Sequence, residues 1–223
     1  MGQFFHVFNR GVEKRDIFLS DRDYERFFTT ATLSRLARAP KASLFFRQQK
    51  LGLIPKNVDL EKQFGPPIVE IIAYCGMPNH YHFLLKELKD GAVAKFMQRL
   101  GNGYTRYFNT KNNREGRLFT TQYKAIPIKS DEQLIHVSRY IHLNPHISSR
   151  VGVSLERLRV YPWSSLRTYL DKGLSSICQP GEVLRFFSSQ NDYWKFIEGG
   201  VVGFSDDLER FSKLLIDAKE THI

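Results

Sequence analysis

The run "PIVEIIAYCGMPNHYHFLLKEL", residues 67–88, holds two apolar stretches divided by Gly-Met-Pro-Asn and reads as an antiparallel hairpin. Successive side chains of a strand point to opposite faces, so His80 and His82 project together while Tyr81 and Phe83 project the other way. Only seven histidines occur in the chain, and two of them share one face of one strand. That pairing reads either as a metal or phosphate site or as two ordinary histidines near a sheet surface, and the flanking sequence has to decide.

Upstream, "FFHVFNRG" alternates into an Asn-Arg-Gly turn and reads as a short strand. "SDRDYERFFTTATLSRLARA" follows with Ser20 or Asp21 as N-cap and apolar residues at helical spacing, ending before Pro40. Residues 41–66 have no clean period and read as an irregular insertion that can include a short helical piece. Downstream, "GAVAKFMQRLGNGYTRYFNTK" is helical through Val93, Phe96, Leu100, Tyr104 and Phe108, and "GRLFTTQYKAIPI" is extended. The order β-α-β-β-α-β is the split arrangement of a ferredoxin-like or RRM-like fold, an α+β class in which an antiparallel four-stranded sheet carries helices on one face. The other face is expected to stay open for function.

A further helix, "SDEQLIHVSRYIHLN", starts at a Ser130 or Asp131 cap and should stop at Pro145. Beyond about residue 150, "LERLRVYPWSSLRTYL", "EVLRFFSS", "DYWKFIEGG" and "SDDLERFSKLLIDAKE" read as short helices anchored by Trp163, Phe186, Phe187 and Trp194. The expected organisation is therefore a main unit at 1–150 and a helical C-terminal extension at 151–223.

Lys and Arg outnumber Asp and Glu 33 to 23, a formal net charge of +10, which favours a phosphate-bearing partner, nucleic acid first. Hydrophobic residues make up 42% of the chain, enough for a core without disulfides, and Cys75 and Cys178 stand too far apart for a zinc ribbon. The start has no secretory h-region, and "IVEIIAYCGM" is too short to span a bilayer. These features lead us to expect a cytoplasmic, nucleoid-associated protein with no membrane partner.

On the added helix Tyr140 and Asn144 stand four apart and share a face. Laid over the open side of the sheet, that face meets His80 and His82. Two imidazoles and the Asn144 amide oxygen make a mixed nitrogen and oxygen donor set, which suits Mg²⁺ or Mn²⁺ held together with substrate. His146 is an alternative to Asn144, and His142 falls on what reads as the polar side. Tyr140 can then act as a nucleophile whose phenolate attacks a phosphodiester, with Lys124 or the metal helping it to ionise. His6 and His136 read as packing or surface residues.

These residues carry a family likeness. The chain resembles the HUH single-tyrosine transposases, most closely the REP-associated tyrosine transposase branch, through "MPNHYHFLL", "SRYIHLNPH", "NRG", "YTRYFN", "GRLFTTQYKAI" and "YPWSS", in that family's order and over roughly residues 3–170. The resemblance implies Tyr140 as nucleophile and His80, His82 and Asn144 as metal ligands. It also implies a single-stranded DNA substrate beside a small hairpin, cleaved to a 5′-phosphotyrosine link and a free 3′-hydroxyl, with a homodimer as one arrangement. Tyr81, opposite in direction to the histidines, should serve the core. DNA contacts are expected from Asn9, Arg10, Lys14, Arg15, Arg106, Arg117 and Lys124. Two other readings stand beside it. One is a non-catalytic RRM-like nucleic-acid binder; the other is a metal-dependent phosphodiesterase that uses activated water.

Overall fold

A computed structural model describes residues 2–55, 57–120, 122–171 and 177–202. The expected helix over "SDDLERFSKLLIDAKE" lies outside these residues. The described elements are β1 (Phe4–Arg10), a 3-10 turn (Val12–Lys14), α1 (Asp21–Ser34), α2 (Ala42–Lys50), α3 (Leu60–Phe64), β2 (Val69–Met77), β3 (His80–Glu87), α4 (Ala92–Lys111), β4 (Lys124–Pro127) and α5 (Asp131–Ile147). Four shorter or later helices follow: α6 (Leu155–Leu158), α7 (Leu166–Leu170), α8 (Gly181–Leu184) and α9 (Gln190–Val202).

The sheet order is β2-β3-β1-β4, antiparallel throughout, with β1 and β3 central, as a β-α-β-β-α-β chain of the ferredoxin-like kind requires. One sheet face carries Val7, Tyr81, Phe83 and Leu85 and packs on α1 and α4 around Phe27, Phe96, Leu100 and Tyr104. These two helices approach closely: a Cβ on Gly103 would stand 3.1 Å from Thr30 Cγ2, so a side chain there would press on α1.

The opposite face is not left open along its whole length. Ile72, Ala73, Cys75, Met77 and Leu84 form a second core with Leu134, Val137 and Ile141 of α5 and with Tyr169, Val183, Tyr193 and Ile197 of the later helices. A bulge in β2 makes this possible. The pairing shifts between Ile71 and Ala73, so odd-numbered residues face α1 and α4 before it (Val69, Ile71) and face α5 after it (Ala73, Cys75, Met77). Alternation read through residues 69–77 as one unbroken strand misses this reversal.

The C-terminal segments also close the outer edge of β2. Gly76 N–H donates to Trp163 O and Ser165 N–H to Tyr74 O, so residues 163–165 run along that edge as a short pairing strand. Trp163 stacks on Tyr24 with ring centroids 4.5 Å apart, and Trp194 is buried, as expected of anchors. Phe186 is instead an exposed ring with the Arg185 guanidinium over it. Residues 41–66 contain α2 and α3, which enclose a small core of Leu33, Ala42, Phe45 and Ile54.

Helix α5 opens with reciprocal capping. Ser130 Oγ accepts from Gln133 N–H at 3.1 Å, and Gln133 Oε1 accepts from Lys129 N–H at 2.7 Å. It does not stop at Pro145. The helix runs on to Ile147 with Pro145 inside its last turn, where the missing N–H costs a single intrahelical bond and the Pro145 carbonyl accepts from Val153 N–H.

Candidate functional site

The hairpin loop that presents His80 is held by the segment after β1. Ile17 and Phe18 N–H groups both donate to Pro78 O, and Gly11 N–H donates to Asn79 O. With the two-residue Pro78–Asn79 connection fixed in this way, His80 and His82 point to the α5 side, their rings 5.1 Å apart and nearly perpendicular. Tyr81 goes the other way, fully buried against Phe27, Phe83 and Phe119, and burial drives its phenol pKa far up. A core role for Tyr81 follows.

Both nitrogens of His80 face amide oxygens. Nδ1 lies 2.7 Å from Asn79 Oδ1 and Nε2 lies 3.2 Å from Asn144 Oδ1. Each amide is oriented by its own nitrogen, since Asn79 Nδ2 donates to Lys14 O and Asn144 Nδ2 to Tyr140 O. Burial, with the Arg10 and Arg150 charges adding to it, lowers the His80 pKa to about 4, although the Asn144 bond works the other way. At neutral pH the ring is therefore uncharged and has one N–H for two acceptors. If that proton sits on Nδ1 toward Asn79, the Nε2 lone pair confronts the Asn144 oxygen lone pairs with no hydrogen between them.

His82 completes the cluster. Its Nε2 is buried without a hydrogen-bond partner, while Nδ1 lies 3.0 Å from His6 Nε2. Burial, followed by the proximity of His80, His6 and Arg10, holds the His82 pKa well below 6.5. If Nδ1–H of His82 donates to His6, its Nε2 is left as a bare lone pair. Three lone pairs, on His80 Nε2, His82 Nε2 and Asn144 Oδ1, then lack donors in one buried neighbourhood, and a cation satisfies all of them. The donor set thus fits a divalent metal ion. Among the described residues no group of three or more His, Cys, Asp and Glu side chains is placed to hold a metal ion.

The Tyr140 ring stands edge-on to His82 at 5.4 Å and to His6 at 5.9 Å, half-buried. The one-turn spacing of Tyr140 and Asn144 brings both to the histidine pair, as the sequence leads one to expect. His146 does not take part, because its Nδ1 lies 2.7 Å from Val153 O. His142 turns away from Tyr140 as helical geometry requires, but into the interior and not onto a polar surface: Nδ1 meets Tyr193 Oη at 2.7 Å and Nε2 meets Ser165 Oγ at 2.8 Å. Sequence reasoning missed His6. The cross-strand register sets Phe8 opposite His82 and His6 opposite Leu84, so His6 shares the histidine face, one step along β1. That register is the one signal that could have found it.

The expected DNA contacts divide. Lys124 on β4 pairs with Phe8 and holds its ammonium over that ring at 5.6 Å, on the histidine face and exposed. Arg10 ends β1 and stands close enough to His80 and His82 to lower both pKa values, with Asn9 beside it, its Oδ1 accepting from Arg10 N–H. Lys14 and Arg15 lie on the segment that pins the hairpin, Arg15 paired with Glu13, and Arg117 is exposed. Arg106 is elsewhere: α4 lies across the sheet from the histidines, so this residue is not brought to the site. Arg150, ion-paired to Asp16 at 2.5 Å, is an additional cation near His80.

Residues 60–144 match the family model described as "Transposase IS200 like". The match marks this segment as similar to IS200-like transposases and covers less than half of the chain. It runs from α3 to the last turn of α5 and contains His80, His82, Tyr140 and Asn144. No curated protein matches the chain. A solved structure of a REP-associated tyrosine transposase bound to a REP hairpin is similar, with 16% sequence identity and a TM-score of 0.49 over 82% of this chain and 87% of that one. The IS200-like segment thus ends where the site does, at Asn144.

Proposed function

We propose that the protein is a metal-dependent single-stranded DNA endonuclease and strand transferase in which Tyr140 is the nucleophile and His80, His82 and Asn144 hold Mg²⁺ or Mn²⁺. The observation that carries the reading is the convergence of His80 Nε2, the unpartnered His82 Nε2 and Asn144 Oδ1 beside the Tyr140 ring. The bound cation would supply Lewis acidity toward a phosphate oxygen and would favour the ionised phenol. Tyr140 Oη attacks phosphorus as it loses its proton, the P–O3′ bond breaks, and the electron pair leaves on O3′, which takes up a proton. The DNA is left as a 5′-phosphotyrosine ester with a free 3′-hydroxyl. Because a phenolate is a better leaving group than an alkoxide, a DNA 3′-hydroxyl can reverse the step and rejoin strands. Lys124 and Arg10 line the approach on the histidine face and are suited to phosphate contacts, whereas Asn9, paired with Tyr81, lies on the other face of β1. A hairpin with unpaired flanks, the substrate implied by the motif likeness, is the DNA proposed here, met in the cytoplasm at the nucleoid.

Incubation of the protein with labelled hairpin DNA and Mn²⁺ should give a protein–DNA adduct that survives denaturation, and Tyr140→Phe should abolish both adduct and cleavage. Continued cutting by Tyr140→Phe would identify a hydrolase that activates water, and binding without any cutting would identify a non-catalytic nucleic-acid binder.

A further inference from the structure

On the far side of the molecule from the histidines, α1, α4 and the first turn of α2 enclose a half-open cavity of about 680 Å³. Six cations line it (Arg22, Arg26, Lys41, Arg99, Arg106 and Lys111) and no carboxylate does. Two of the six are already engaged. Arg99 donates to the carbonyls of Ser34, Leu36 and Ala37 at the end of α1, and Lys111 is paired with Asp23 at 2.6 Å. The side chains of Arg22, Lys41 and Arg106 enter no hydrogen bond or ion pair among the described residues.

Arg26 is the most committed in position and the least satisfied in charge. Its guanidinium lies 3.6 Å from the Phe46 ring centroid and 4.9 Å from that of Tyr107, and its Nε is buried with no partner. Between the cations the wall is apolar, built from Leu33, Ala39, Pro40 and Ala42. Five of the six cations have no carboxylate partner among the described residues, Lys111 alone being paired with Asp23, and like charges gathered in this way raise the local potential and draw in an anion. The size lies within the roughly 300–1,000 Å³ of pockets that take drug-sized ligands, and the mixture of guanidinium, ammonium, aromatic edge and apolar wall matches the parts of a nucleotide: phosphate, base and sugar.

We propose that this cleft is a second, non-catalytic site for a nucleotide unit and its phosphates, supplied by a single-stranded stretch of DNA outside the cleaved segment. The strand is favoured over a free nucleotide because this inference rests on the DNA-cleaving function proposed above. The insertion at residues 41–66 builds one wall of the site through Lys41, Ala42 and Ser43.

The test uses full-length protein carrying Arg22→Ala and Lys41→Ala, two exposed side chains with no hydrogen bond or ion pair to lose among the described residues. Fluorescently labelled oligothymidylate is titrated at several salt concentrations, and dTMP and inorganic phosphate are titrated separately, while melting temperature and Mn²⁺ affinity report on fold and catalytic site. Removing two phosphate contacts should weaken oligothymidylate binding about ten-fold and flatten its log K against log[salt] slope by about 1.4, since each contact contributes about 0.7 for single strands. Melting temperature and Mn²⁺ affinity should stay unchanged. Loss confined to dTMP would keep the site and reassign its source to free nucleotide. Equal binding of wild type and variant to all three ligands, or loss of phosphate binding alone, would overturn the proposal. Because the readout is binding, it stands apart from adduct formation: a protein that forms no tyrosyl adduct yet shows the expected slope change would refute the catalytic reading and leave the cleft.

Discussion

His6 has the clearest consequence for a single side chain. A ligating imidazole needs its second nitrogen fixed, and His6 Nε2 is the group within hydrogen-bond distance of His82 Nδ1. Partners of this kind typically account for 10–100-fold in metal affinity. His6→Phe keeps a ring against Phe8 and Tyr140 but offers no acceptor. We expect it to weaken Mn²⁺ binding about ten-fold or more, measured by the free-ion EPR signal, with little change in melting temperature. An unchanged affinity would reduce His6 to packing. By the same measurement, Asn144→Leu should lose most of the binding, because it removes the one oxygen that faces His80 Nε2, whereas His146→Gln should lose none. Spacing fixed that His80 shares a face with His82 and Tyr140 with Asn144, through periods of two and of about 3.6, and the motif likeness joined the two pairs into one candidate site. His6 was hidden because its neighbour depends on strand register, which no local pattern encodes.

At the scale of elements, what matters is how α5 is seated, since one helix carries both Tyr140 and Asn144. Its buried side is tied to the C-terminal helices through polar groups: Tyr193 Oη meets both His142 Nδ1 and Ser138 Oγ, and Ser165 Oγ takes the other His142 nitrogen. Tyr193→Phe removes the hydroxyl and leaves two buried polar partners short of a bond, a cost of about 1–3 kcal/mol in urea unfolding. The same change should slow adduct formation, because a helix less firmly held presents the nucleophile less often. A stable variant with wild-type rates would show that the later helices do not position α5. The order of strands and helices was readable from periodicity. The bulge at Ile71–Ala73, the continuation of α5 past Pro145 and the burial of His142 were not, because each is decided by what packs against the element and tertiary contacts override local preference there. Arg106 shows the opposite case. Leu100, Tyr104 and Phe108 already mark the buried side of α4, so a residue two positions from Tyr104 had to face outward, on the layer opposite the histidines.

Among the described residues four buried histidines are held neutral by burial: His6 and His142 with pKa values lowered to about 3, His80 to about 4, and His82 well below its ordinary value. In the unfolded chain each titrates near 6.5. Between these limits the unfolded state binds protons that the folded state refuses, so stability is complete above pH 6.5 and declines as pH falls toward the folded values. Each histidine adds up to about 1.4 kcal/mol per pH unit to that slope. The Asp23 carboxyl, lowered by its bonds to Lys111, Tyr107, Leu19 and Ser20 against the cost of burial, acts in the same direction, but only below its unfolded pKa near 3.8. Histidine-driven loss therefore starts more than two pH units earlier than carboxylate-driven loss. Urea unfolding in the presence of EDTA should give a free energy steady from pH 8 to 7 and falling steeply from pH 6 to 4.5, with His142→Gln losing stability overall but showing a shallower slope. A profile flat down to pH 4 would mean that these rings are solvated in the native protein, and the dry, neutral cluster on which metal binding depends would have to be given up.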